Sequence, residues 1–374
     1  MAQAYSPGLT VTKSTVLRKD RILPLKGKVL VKKGDKVKAD DVVAETLLPG
    51  KVVPFNLANK LNVTPNLVNQ YIKVKAGDKI KKGQVMAVTK GFFGLFKTAV
   101  KAPLDGEIEN ISTITGQMLL REPRIPIQVK AFIDGVVVEV IPEEGVVIEN
   151  KSAYIQGIFG LSGERSGEIK LLVSTPDEII DTKKIDESCK DKIIICGALI
   201  NYAAIKQAQN MGVSGIITGG IDDQDLKKLL GYNIGVAITG HEDIGLTIVV
   251  TEGFGKIKMA HNTFELLKSF EGHKASIHGI TQIRAGVMRP EIIIPIDFKE
   301  NELKAEAPKM SSLEIGTTIR VIRQPNFGII GKVTGLPEKL TKVESETLVR
   351  ILEAELENGK KVTIPRANVE VIET

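Results

Sequence analysis

Residues 191–197, which read DKIIICG, and residues 213–220, which read VSGIITGG, decide the fold at the centre of this chain. Both runs are short and apolar and contain glycine near the end, which is typical of buried strands. Between them lies ALINYAAIKQAQNMG, residues 198–212, with apolar residues at three- and four-residue intervals and Gly212 as a helix C-cap. The pattern predicts a β-α-β unit with parallel strands and a right-handed crossover.

The same alternation continues to residue 296. A helix is predicted from Asp222 to Leu230 and another from Asn262 to Ser269, with strands at residues 235–241, 246–255, 275–286 and 291–296. We therefore expect an α/β domain over residues 190–298.

A small-ligand site is predicted at the strand ends, because open α/β sheets bind ligands beyond the carboxyl ends of their strands. Its residues fall in three Gly-containing turns: Thr218, Gly219 and Gly220; Thr239, Gly240 and His241; Thr251, Glu252 and Gly253. The alternative is that these glycines only make tight turns. No dinucleotide-binding or P-loop glycine pattern is present.

No catalytic or metal-binding set is predicted. His241, beside Glu242 and Asp243, is the best candidate for a general base, and the alternative is a histidine in a surface turn. Cys196 has apolar neighbours, which favour an inert buried thiol.

The composition indicates a protein of two or three domains. The chain has 374 residues, 4% aromatic residues and no tryptophan, so its core must consist of Ile, Val and Leu. Two cysteines without metal-ligand neighbours point to the reducing cytoplasm. We expect neither a signal peptide nor a transmembrane segment.

Positive charge is concentrated in the N-terminal third. Residues 1–130 hold 23 Lys and Arg against 10 Asp and Glu, whereas residues 131–374 hold 28 against 35. The N-terminal part is thus the one that an acidic partner would meet first. The alternative is a lysine-rich surface that only faces solvent.

That basic part contains an internal repeat. Residues 27–44 read GKVLVKKGDKVKADDVVA and residues 71–88 read YIKVKAGDKIKKGQVMAV. The repeat resembles the half-motif of the biotinyl/lipoyl-like, or barrel-sandwich hybrid, fold. KAPLDGEI at 101–108 resembles the strand that follows in that family, and residues 135–147 resemble a degenerate further copy. The resemblance implies a basic barrel-sandwich hybrid over residues 1–150, with a helical insertion at 55–70.

The resemblance does not extend to carrier chemistry. Lys90 and Lys97 lack the setting of a modified carrier lysine, so no covalent lipoyl or biotin cofactor is expected. The same segment holds Phe92, Phe93 and Phe96, which would suit a tip that docks a protein partner or a lipid surface. The alternative is that this tip folds back on the chain.

Two polar segments separate the predicted domains. Residues 156–169, QGIFGLSGERSGEI, are rich in glycine and are interpreted as part of a connector over 151–189. Residues 299–312 are interpreted as a linker.

The last domain, residues 313–374, is predicted from GTTIRVIRQPNFGIIGKV at 316–333. This stretch resembles a KOW motif. Domains with this motif are SH3-like barrels found in NusG-type elongation factors and ribosomal proteins. The resemblance implies contact with RNA, the ribosome or RNA polymerase through Arg320, Arg323, Phe327, Lys332 and Arg366. Protein contact is the alternative, because residues 308–374 hold 10 basic and 9 acidic residues.

Taken together, these features predict a multidomain α+β protein: a β-rich barrel-sandwich hybrid, a central α/β domain and a C-terminal SH3-like β-barrel. The favoured hypothesis is a non-enzymatic adaptor that binds RNA or the transcription or translation machinery. The alternatives are a ligand sensor or enzyme using the central strand ends, and a membrane- or complex-docking scaffold using Phe92–Phe96. No resemblance spans the whole chain.

Overall fold

The computed structural model is β-rich, and its described residues form six sheets with short helices. The structure describes residues 9–89, 97–232, 242–281, 289–296, 313–321, 326, 329–337, 340–342 and 348–371. The predicted combination of strands and helices in several units is present at this level.

The N-terminal part is built almost entirely of strands. Those that begin before residue 157 are β1 (Val11–Ile22), β2 (Lys28–Val29), β3 (Lys36–Val37), β4 (Val42–Leu48), β5 (Val52–Asn56), β6 (Lys79–Ile80), β7 (Val85–Val88), β8 (Ala99–Lys101), β9 (Gly106–Ile111), β10 (Gln117–Arg121), β11 (Ile125–Lys130), β12 (Gly135–Ile141) and β13 (Gly145–Gln156). The predicted helices after β5 are α1 (Leu57–Leu61) and a 3₁₀ helix (Pro65–Gln70).

The two copies of the repeat belong to different modules. Strands of the first copy pair forward in the sequence, β4 with β11 and β3 with β12. Strands of the second copy pair within the intervening stretch, β6 with β9 and β7 with β8. The chain therefore starts an outer module (residues 28–48 and 125–150), builds an inner module (residues 52–121), and returns to complete the outer one.

Each module has its own hydrophobic core. Val37, Val43 and Phe132 are buried in the outer module, whereas Ile80 and Met86 are buried in the inner one, and the two clusters share no buried residue. The two helices expected as an insertion contribute Leu57, Leu61 and Val68 to the core of the inner module.

The two connections between the modules run side by side. Leu48 pairs with Ile125 on the outer side, and Val52 pairs with Arg121 on the inner side. The backbone N–H of Glu122 donates to the carbonyl of Lys51 over 2.9 Å between them. The inner module is thus attached like the loop of a β-hairpin.

The Gly-Asp turns of the two copies have matching hydrogen bonds. The N–H of Lys32 donates to Asp35 Oδ2 and that of Lys75 to Asp78 Oδ2, both over 2.8 Å. The glycine between them has φ of +92° at Gly34 and +88° at position 77, a region that favours glycine. Each glycine N–H also donates over 2.7 Å to a strand of its own module.

Among the described residues the central sheet has eleven strands, of which β1, β3, β12 and β13 come from the N-terminal part, with β1 paired to β13. Its further strands are β14 (Phe159–Leu161), β15 (Glu164–Leu171), β16 (Lys192–Cys196), β17 (Gly215–Ile221), β18 (Thr247–Phe254), β19 (Lys274–His278) and β20 (Glu291–Pro295). Its helices are α2 (Tyr202–Asn210), α3 (Asp223–Leu230) and α4 (His261–Ser269), with 3₁₀ helices at Thr182–Lys184 and Glu187–Cys189.

The predicted β-α-β unit is confirmed as β16, α2 and β17, with parallel strands. Asn201 caps α2, since its side-chain oxygen accepts the N–H of Ala204 over 2.9 Å. The strand order is β14-β18-β17-β16-β15-β19-β20-β13-β12-β3, in which β15 to β18 are parallel.

The Gly-rich segment is not a connector along its whole length. Residues 151–171 contribute the end of β13 and all of β14 and β15 to the central sheet. Ile155, Phe159 and Leu161 are fully buried there. A Cβ at Gly160 would lie 2.6 Å from two backbone oxygens, so this glycine serves close packing between strands.

The C-terminal module comprises the described residues between 313 and 371. Its strands are β21 (Thr318–Val321), β22 (Ile330–Gly335), β23 (Thr341–Lys342), β24 (Leu348–Val349), β25 (Ile351–Leu356), β26 (Lys361–Pro365) and β27 (Val369–Val371), with a 3₁₀ helix at Arg366–Asn368. The antiparallel order is β26-β25-β22-β21-β27, around a core of its own. Across the described ranges, no helix has the length and apolar character needed to cross a membrane.

Candidate functional site

The carboxyl edge of the central sheet brings two of the three predicted turns together. Gly220 pairs with Gly253 between the parallel strands β17 and β18. The hydroxyl of Thr251 donates to the carbonyl of Thr218 over 3.3 Å. Both threonines are buried. The sequence therefore correctly indicated that these residues are neighbours.

This edge is closed by the chain itself. The N–H of Ile200 donates to the carbonyl of Gly220, and that of Ile257 donates to the carbonyl of Ala198. A Cβ at Gly220 would lie 1.9 Å from a backbone oxygen of residue 255, and one at Gly219 would lie 2.3 Å from the oxygen of Ile257. These glycines thus allow backbone segments to cross closely, as the alternative interpretation held.

Glu252 is the chemically distinct group at this edge. The residue is only 4% exposed; its Oε1 accepts the N–H of Ala260 over 2.9 Å, and its Oε2 accepts an N–H from Nη2 of Arg320 over 2.5 Å. Arg320 lies on β21 of the C-terminal module and is 1% exposed. A buried ion pair therefore joins the C-terminal module to the sheet edge.

The burial of Arg320 corrects its predicted role as a phosphate contact. Its neighbours Ile319 and Val321 face the core of the C-terminal module, so Arg320 points the opposite way, where the central sheet covers it. Alternation along the strand gave the correct orientation. The sequence around β21 could not show that the face carrying Arg320 is covered by the central sheet, because the covering residues lie far earlier in the chain.

The other predicted contacts of the C-terminal module differ in exposure. Lys332 is exposed on β22, whereas Arg366 is half-buried and donates to the carbonyls of Ile351 and Pro337 over 2.9 and 3.0 Å. Arg323 and Phe327 lie outside the described residues. So do Phe92, Phe93 and Phe96 of the predicted docking tip, and Thr239, Gly240 and His241 of the third turn.

Cys196 does not have the environment of a nucleophile. It is completely buried, and this burial raises the pKa of its thiol far above the usual value, with the nearby Cys189 adding to the effect. Both cysteines are free thiols. Cys196 is therefore protonated at neutral pH and contributes to packing.

Exposed lysines cluster on and around the two Gly-Asp turns. We call two groups the lysine turns: the outer lysine turn holds Lys32, Lys33, Lys36 and Lys38, and the inner lysine turn holds Lys75, Lys79, Lys81 and Lys82. Within the described ranges, none of these eight lysines forms an ion pair, whereas Lys130, Lys192 and Lys228 elsewhere do. Their charges consequently remain available to an external anion.

The acidic residues inside these turns are already engaged. Asp35 and Asp78 accept backbone N–H groups of their own turns, and Asp105 accepts the N–H of Lys82 over 2.7 Å. Asp41 does the same for Lys38 over 2.8 Å. These carboxylates hold the turns in shape, although they still offset part of the positive field.

A second cluster of charges links β1, itself a strand of the central sheet through its pairing with β13, to β15 and β20. Arg21 binds both oxygens of Glu164 over 2.6 Å, and Lys19 binds both oxygens of Glu291 over 2.7 and 2.6 Å. His278 lies between the two glutamates in the strand register and contacts the edge of Phe132. Burial lowers the pKa of His278 from its usual 6.5, outweighing the attraction of both glutamates.

Among the described residues, no group of three or more His, Cys, Asp or Glu side chains could hold a metal ion. No protein-family model and no curated protein matches the chain.

Proposed function

We infer that this protein is a non-enzymatic adaptor that binds nucleic acid through the lysine turns of its nested N-terminal modules. In this proposal both modules are barrel-sandwich hybrids without carrier chemistry. The C-terminal module is an SH3-like, KOW-type barrel that docks protein, here the central sheet.

The observation that carries the proposal is the exposure of eight lysines on two equivalent turns, none of which has an ion-pair partner among the residues that the structure describes. A surface of this kind attracts phosphates, because each lysine that meets a phosphate releases condensed counterions. Each turn is held by matching hydrogen bonds, so the lysine backbone positions are fixed before a partner arrives. The contact is expected to depend on phosphate spacing more than on base sequence.

The central strand ends favour the adaptor over an enzyme. Thr218, Thr251 and Glu252 are buried and hydrogen-bonded within the chain, and glycine positions 219 and 220 accommodate neighbouring backbone. The two lysine turns lie on the N-terminal modules and not at this edge. A partner therefore meets the N-terminal modules without passing through this edge.

The test is binding of a duplex RNA, followed by fluorescence anisotropy from about 50 to about 200 mM salt. One variant replaces the four lysines of the outer lysine turn by Gln, and a second does the same for the inner lysine turn. If all four lysines of a turn contact phosphates, the negative slope of log K against log salt should become shallower by about 3 to 4, taking as a guide the roughly 0.9 per phosphate contact of a B-form duplex.

The control replaces four exposed lysines of the central part by Gln: Lys183, Lys190, Lys227 and Lys256. It removes the same net charge, so it separates a general field effect from a local contact. The proposal is wrong if the wild-type chain does not bind at low salt, or if the control weakens binding as much as the turn variants do.

A further inference from the structure

The C-terminal module contacts the central sheet but shares neither a sheet nor a hydrophobic core with it. In the described part of the chain, none of its strands pairs with a strand outside the module. Its buried cluster is likewise separate from that of the central sheet. Such a module keeps its own fold whether or not it is seated.

The buried contact between the central sheet and the C-terminal module requires a cation opposite Glu252. Glu252 is a buried carboxylate, and an unpaired carboxylate at this depth is strongly unfavourable. Its Oε1 accepts a backbone N–H, which leaves Oε2 for a charged donor. A guanidinium group suits this position best, because it is planar, always charged and less strongly hydrated than an ammonium group.

The seat is not tightly filled. A cavity of about 80 Å³ adjoins the ion pair; its lining combines polar side chains, Gln156, Thr251 and Asn262 among them, with apolar ones such as Leu9 and Val371. Space for water beside a buried ion pair distinguishes a contact between two modules from a continuous hydrophobic core.

We propose that this edge of the central sheet is a socket for a guanidinium group, and that the C-terminal module is its removable cover. In the structure Arg320 fills the socket from within the same chain. When the cover lifts, Glu252 takes an arginine side chain presented by a partner protein. The inference is independent of nucleic-acid binding, since it involves neither lysine turn.

Attachment to the same chain explains why the closed form is the one observed. A tethered group typically competes at an effective concentration of roughly millimolar, so Arg320 outcompetes a free guanidinium compound of similar intrinsic affinity. The socket is therefore best examined after Arg320 has been shortened.

The experiment uses the full chain with Arg320→Ala and the probe methylguanidinium. Calorimetry should show saturable binding to R320A, a much weaker response in the wild-type chain, and loss of binding when Glu252→Gln is added. Small-angle scattering should show a larger radius of gyration for R320A, and the probe should not reverse it, because it is not tethered. Lys361→Ala, on β26 of the same module, is the matched control and should behave as wild type.

Glu252→Gln alone keeps the inference testable if R320A folds poorly, since it keeps the shape of the side chain and removes its charge. It should expand the chain and bind no probe. The proposal is overturned if R320A binds no methylguanidinium, or if its binding survives Glu252→Gln. It is also overturned if R320A remains as compact as wild type, because the module would then be a fixed part of the core. Restoration of compactness by the probe would overturn it too, because closure would then not require the arginine to be attached to the module.

Discussion

Removal of the whole inner module should leave the rest of the protein folded. The perturbation deletes residues 52–121 and joins Lys51 to Glu122 through Asn-Gly. These flanking residues already form a cross-strand hydrogen bond of 2.9 Å, and Asn-Gly favours the two-residue turn that such a pair requires. No buried residue of the outer core is lost, because the two clusters are separate.

The expected magnitude follows from this separation. The inner module already holds its two ends together, so a short turn changes the closure entropy of the outer strands little. We expect the free energy of unfolding of the remaining chain to change by less than about 1 kcal/mol, a shift in its main thermal transition below roughly 4 °C. The deletion removes ten Lys and Arg and four Asp and Glu, which takes the net charge from +6 to zero.

Calorimetry and near-UV circular dichroism would follow the shortened chain, and a deletion shifted by ten residues would serve as the control. The shifted deletion, residues 62–131, should fail, because it removes β11, the partner of β4, and leaves β5 without its partner β10. If the in-register deletion also lost its cooperative transition, the two cores would have to be coupled and the nested description would be refuted.

Three further outcomes are expected, each measurable by urea unfolding. Gly220→Ala should destabilise by at least about 2 kcal/mol, since its Cβ would meet a backbone oxygen at 1.9 Å, whereas Gly163→Ala, with no heavy atom within 4 Å, should be nearly neutral. Asp35→Ala and Asp78→Ala should each lower the free energy of unfolding by about 1 kcal/mol, and by equal amounts, because each turn has the same hydrogen bond from a lysine N–H to its aspartate. Unequal losses would contradict the equivalence of the two turns. Burial lowers the pKa of His278, so the unfolded chain takes up this proton at a higher pH than the folded chain, and stability should fall as pH drops below 6.5. His278→Phe should reduce that dependence. An unchanged pH profile in the variant would exclude His278 as its source.

Local patterns were sufficient for the centre of the fold. The apolar run 193–196, the three- and four-residue spacing of α2 and the glycine that follows it at position 212 each depend on residues close in sequence. The same holds for the neighbouring turns at Thr218 and Thr251, since parallel strands bring their carboxyl ends to one edge.

Long-range pairing could not be predicted in the same way. The two repeat copies have nearly the same pattern, so nothing local shows that β3 pairs with β12 while β6 pairs with β9. Arg320 and Glu252 are likewise distant in sequence, and only the seating of one module on another buries them together. A glycine-rich segment such as 156–169 reads as a loop, because glycine used for close packing and glycine used for turns look the same.

The nested arrangement also sets an order of events while the protein is being made. Synthesis proceeds from the N-terminus, so β2 to β4 leave the ribosome well before β11 to β13, their partners in the outer module. The inner module can complete its own pairing during that interval. Meanwhile Val37 and Val43 remain without their core, and the lysines on either side of Val37 act as charged gatekeepers against association of nascent chains.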